Sequence, residues 1–201
     1  MEQETTKVRV DILSPDHLSI FRLTLSRILE SDVAKRAYAQ ILDGWPAMGS
    51  FMYGGGPREL HETISEEAFQ ALEALQSQFR LDSLSFDPPV AQGYQDAPLG
   101  SEAFKTHLIE LLAISCHDVG ACLFQQAGGG LRPTVLKPLP DWMLERLHPV
   151  PSPPTCFVHA GYSNLEEYPN GVGDIVGYWV ENQIFGGVVV FDRGESGTEV
   201  P

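Results

Sequence analysis

Between residues 159 and 193 the chain gathers the side chains best suited to proton transfer. His159 sits in CFVHAGY, Glu181 follows GYWV, and Asp192-Arg193 end GGVVVFDR. An imidazole beside carboxylates makes a general acid–base pair, and an arginine can fix an anionic group. His159, Glu181, Asp192 and Arg193 are therefore the candidate catalytic residues. Tyr178, Trp179 and Tyr94, the last in FDPPVAQGY, are the candidate ligand-binding residues, aromatic surfaces that can wall a pocket. Taken one at a time, these residues have a plainer reading. Carboxylates and an arginine at turns make surface ion pairs, and a lone histidine is usually structural.

A second constellation lies in SEAFKTHLIELLAISCHDVGACLF. His107, Glu110, His117 and Asp118 share one arc of a helix, opposite an apolar stripe. The adjacent His117-Asp118 resembles the pair in metal-dependent phosphohydrolases, which draw further ligands from other helices. No neighbouring segment offers a second such set. The arc therefore reads first as a solvated face, and no metal is assigned. A metal-dependent hydrolase using His117 and Asp118 stands as an alternative.

The stretch GVGDIVGYWVENQIFGGVVVFDRG spells G-x-G-x-x-G at Gly171, Gly173 and Gly177. A dinucleotide fingerprint needs a hydrophobic strand before the first glycine, a helix after the last, and further βα units. Here NLEEYPN precedes it, and aromatic and β-branched residues follow. The expected structure is an antiparallel hairpin, 175–181 paired with 184–192, with Gly186-Gly187 marking a bulge. In such a hairpin the run Val188-Val189-Val190-Phe191 would be buried on both faces.

The elements that must position these groups begin with helices. Ser14 and Pro15 open the first, as N-cap and N1. A second runs from about Asp32 to Gly44-Trp45-Pro46, with Val33, Ala37, Tyr38, Ile41 and Leu42 as its stripe. Thr63 and Glu66 form a capping box for a third, carrying Ala68, Leu72, Leu75 and Phe79. FDPPVAQGY reads as an irregular loop, available as a wall or lid. The fourth and strongest helix covers about 101–124. KVRVDIL reads as a short first strand or a lead-in. Residues 128–154 are rich in glycine and proline and read as a linker or surface loop. The glycine loop AMGSFMYGGGPREL lacks a Walker lysine, so it reads as a flexible turn.

Charge removes some function classes. The 201 residues carry 13 Lys+Arg against 27 Asp+Glu, a net charge of −14. That surface repels phosphate backbones and anionic lipid, so neither nucleic acid nor membrane is an expected partner. The sequence has no uninterrupted apolar run of membrane-spanning length. Three cysteines without C-x-x-C spacing, and an acidic start without a signal core, suit a reducing compartment.

The phrases LSPDHL, ILDGWP, FMYGGGP, FDPPVAQGY and GYWVENQIFGGVVVFDRGESG together resemble a family of uncharacterised intracellular proteins of filamentous fungi. The resemblance implies a fungal, cytosolic origin and chains that continue past FDRGESG. It implies no activity.

These readings combine into an α+β fold, with a mainly helical part (1–127), a linker (128–154) and a β-rich part (155–201) forming one compact domain. The C-terminal third is expected to supply a small antiparallel sheet, on which the helices pack. The expected function is a cytoplasmic small-molecule-binding protein, or a cofactor-independent acid–base enzyme. A non-catalytic protein–protein interaction module is the rival. No cofactor is expected, and a homodimer is allowed.

Overall fold

A computed structural model describes residues 6–47, 63–128 and 155–191. Six α-helices are formed among them: α1 (Pro15–Leu29), α2 (Asp32–Asp43), α3 (Glu66–Gln78), α4 (Pro88–Asp96), α5 (Glu102–Ala127) and α6 (Val172–Phe185). Two two-residue strands, β1 (Val8–Arg9) and β2 (Ser85–Phe86), pair antiparallel with Val8 opposite Phe86. The fold is thus mainly helical. The small sheet comes from the N-terminal half, and the expected α+β arrangement with a C-terminal sheet is overturned.

The early helices follow their signals. Pro15 stands at the start of α1 behind Ser14. The Ser14 hydroxyl does not cap the backbone but lies 2.8 Å from His17 Nδ1. His17 Nε2 lies 3.1 Å from the Ala97 carbonyl. That carbonyl can only accept, so Nε2 carries the proton and Nδ1 receives the serine O–H. α2 ends at Gly44, whose φ of 97° is left-handed and open to glycine at little cost. Ala34, Ala37, Tyr38, Ile41 and Leu42 are buried along α2, whereas Val33 is exposed. The cap of α3 is Ser65, not the expected Thr63–Glu66 box. Its Oγ accepts from the Ala68 N–H at 3.3 Å and donates to Asp43 Oδ1 at 2.6 Å.

Two segments differ from expectation for identifiable reasons. FDPPVAQGY is helix α4, because its prolines occupy the first turn, where their missing N–H groups cost nothing. The hairpin expected over 175–192 is α6 up to Phe185, and 186–191 has no regular structure. Ile175, Val176, Trp179 and Val180 are fully buried at helical spacing. β-Branching restricts χ1 in a helix but does not forbid it. TCFVHAGY holds only an isolated bridge between His159 and Tyr162.

α5 is the axis of the protein. It packs against α1, α2, α4 and α6, and its contact with α6 is the most extensive in the fold. At 26 residues it is long and apolar enough to cross a membrane by composition, but most of its apolar stretch is buried within the protein. Residues 129–154, the glycine loop at 48–62, and Asp192-Arg193 lie outside the described residues.

Candidate functional site

The two flanks of α5 carry two different sites. On the flank facing α6, His117 is buried between two carboxylates. Its Nδ1 lies 2.8 Å from Glu181 Oε1, and its Nε2 lies 3.2 Å from Asp174 Oδ1. Both carboxylates belong to α6, at i and i+7, and so project from one face two turns apart. Asp174 also accepts from the Asn170 backbone N–H at 2.9 Å and from its Nδ2 at 2.8 Å. Glu181 Oε2 accepts from the Val189 N–H at 3.0 Å, which ties the segment after α6 back onto the helix.

Glycine makes this approach possible. A Cβ on Gly177 would stand 2.4 Å from His117 ring atoms, and one on Gly120 would stand 2.7 Å from a Val180 methyl. A Gly173 Cβ would meet Gln125 at 3.2 Å. Gly173 and Gly177, two glycines of the G-x-G-x-x-G string, are therefore close-packing positions between two helices. They do not form a phosphate loop.

Burial alone would push the His117 pKa down. The hydrogen bonds to Asp174 and Glu181, together with their charges, outweigh it and hold the imidazolium up to about 9. Burial acts to raise the Asp174 pKa, but the bonds from His117 and Asn170 hold it below the ordinary value. Asp118, next in sequence, is pushed up, chiefly by burial. At neutral pH the centre is an imidazolium clamped by two carboxylates. With both ring nitrogens engaged, neither is available to take a proton from a substrate until one bond opens.

An aromatic chain leads outward from the clamp. Tyr178 meets the His117 ring edge-on, with centroids 4.7 Å apart. Tyr162 and Tyr168 lie 4.5 and 5.1 Å from Tyr178, and His159 lies 5.4 Å from Tyr162. Burial pushes the Tyr178 hydroxyl up to about 12.

The structure thus brings together Glu181, Tyr178 and His117, and links them to His159 only through tyrosines. Trp179 is fully buried against Phe157, with ring centroids 4.9 Å apart. Tyr94 is fully buried, and its hydroxyl donates to the His17 carbonyl at 3.0 Å. Glu110 and His117 are buried, so the arc read as solvated is not: His107 packs over Gly93 of α4, and His117 packs over Gly177 of α6. Asp174 is the participant that sequence reasoning missed. Its signal was the seven-residue spacing to Glu181 around Gly177, which is visible only once the segment is taken as a helix.

The opposite flank of α5 faces α1, α2 and α3 across a cavity of about 410 Å³. Its apolar lining is Leu29, Leu72, Leu75, Phe79, Val119 and Leu123. Val119, Cys122, Leu123 and Gln126 reach it from α5 at i, i+3, i+4 and i+7, one face of the helix. Most of its polar groups already have partners. Tyr38 O–H donates to the Cys116 carbonyl at 3.1 Å, Gln76 Nε2 to the Leu29 carbonyl at 3.2 Å, and Ser83 Oγ to the Arg80 carbonyl at 2.7 Å. Among the described residues the Arg80 guanidinium enters no ion pair.

No family model, no curated protein and no solved structure matches this chain.

Proposed function

We propose that this protein binds a small, largely apolar molecule in the cavity between α3 and α5. The observation that carries the reading is the cavity itself. About 410 Å³ lies within the range of small-molecule sites, and six apolar side chains face a few polar ones there, the usual composition of such sites. Of the residues the acid–base reading names, Glu181 is occupied by His117 and the Val189 N–H, His159 meets Tyr162 away from it, and Asp192-Arg193 lie outside the described residues. For the metal-hydrolase reading, both His117 nitrogens already face carboxylates, and among the described residues no three His, Cys, Asp or Glu side chains are placed to hold a metal ion together. The cytoplasmic setting is the one the fungal resemblance implies.

Titration with N-phenylnaphthylamine tests the proposal, because this probe fluoresces on entering an apolar site. Saturable binding at one site is expected, and the Leu123→Trp variant, whose indole fills the cavity, should lose it while keeping the parent's circular dichroism. Absence of saturable binding to the parent, or unchanged binding to the filled variant, would reject the cavity as a ligand site.

A further inference from the structure

Resting on that reading, we infer that the ligand carries a single carboxylate, held at the cavity by Arg80. Among the described residues the lining has one charged side chain, Arg80, and no carboxylate. Arg80 is solvent-exposed and, among the described residues, is not committed to any acidic partner. An uncommitted guanidinium beside an apolar cavity presents a planar fork of donors that matches a carboxylate. The net charge of −14 sharpens the choice, because a multiply charged head would meet repulsion that one arginine cannot offset. The ligand class is therefore a monocarboxylate with an extended apolar body. The apolar lining takes the body, and Arg80 fixes which end faces out.

Three probes share one body and differ in the head: dodecanoate, dodecanol and dodecylammonium, each measured by displacement of N-phenylnaphthylamine below micelle formation. Dodecanoate should bind about fivefold tighter than dodecanol, the scale of a partly exposed ion pair. Dodecylammonium should bind weakest. Arg80→Gln, at an exposed position, should erase the preference for dodecanoate and leave dodecanol unchanged. If dodecanol or dodecylammonium binds as tightly as dodecanoate, or if Arg80→Gln leaves dodecanoate affinity intact, the carboxylate inference fails and the cavity reading stands. If none of the three displaces a probe that itself binds, the inference again fails alone. If the probe does not bind either, both readings fail.

Discussion

The two flanks of α5 solve opposite problems. Towards α6 the helices approach so closely that Gly120, Gly173 and Gly177 have little or no room for a side chain, and a charged histidine is held by two buried carboxylates. Towards α3 the same helix turns Val119 and Leu123 to a space of about 410 Å³ that the described side chains leave unfilled. Packing density and polarity run together on the first flank and are both given up on the second. A buried charge tolerates no slack, because an unpaired ion in a low-dielectric interior costs several kcal/mol. An apolar wall can be left open, at the cost of lost dispersion contacts. The position of the cavity thus follows from where the fold can leave space.

The difference between the flanks can be broken most forcefully at its polar end. Replacing His117 by Leu leaves Asp174 and Glu181 buried and facing each other without their shared cation. A loss of about 3–5 kcal/mol is expected in urea unfolding. A loss under about 1 kcal/mol would mean that the clamp does not hold the seam. Raising the pH attacks the same group without mutation. The folded-state pKa of His117, about 9, lies above the unfolded value of 6.5. Its contribution is therefore complete below pH 6.5, declines from there to about pH 9, and is absent above that. The decline should be on the order of 3 kcal/mol and should be missing in His117→Leu. A flat stability profile between these pH values would contradict the assignment of the proton.

Gly177→Ala is the next smaller effect. Alanine should add up to about 1 kcal/mol of helix propensity, yet its methyl enters the space of the His117 ring. A net loss of about 1–2 kcal/mol is expected, and it should vanish in a His117→Ala background, measured as a double-mutant cycle. By contrast, Leu123→Trp on the other flank should shift stability by less than about 1 kcal/mol, because the added volume has somewhere to go. If both substitutions cost the same, the flanks do not differ in packing.

Much of the N-terminal architecture was legible in the sequence. Pro15 at the start of α1, Gly44 and most of the α2 stripe are local signals that tertiary structure did not override, although the Ser14 hydroxyl turns to His17 and Val33 is exposed. The stretch 172–185 was not legible as a helix. Its valines and isoleucines favour strands, and the face that a helix would leave polar is here also buried, so no alternation between apolar and polar marked the period. α4 is hidden because FDPPVAQGY, with two prolines together, reads as an irregular loop unless the prolines form a first turn. Of the candidate site, Glu181 and Tyr178 are named by the sequence for separate roles, and His117 for another reason. Their meeting depends on a contact between residues 64 apart in sequence, which no local pattern encodes. The cavity was invisible for the same reason, since its walls come from four helices.

The clamp also has a bearing on synthesis. A chain growing from its N-terminus completes α5 well before residues 172–185 have been made. Until then His117 has neither counter-charge and titrates near its ordinary value, and the apolar seam prepared for α6 stands open to solvent. The nascent protein therefore passes through a stage at which α5 lacks the helix it packs against most extensively. Binding by a chaperone, or association with another nascent chain, would compete at that stage. Arrival of Asp174 and Glu181 closes it, and an arrested chain ending between the two helices should be far more prone to aggregate than one that includes α6.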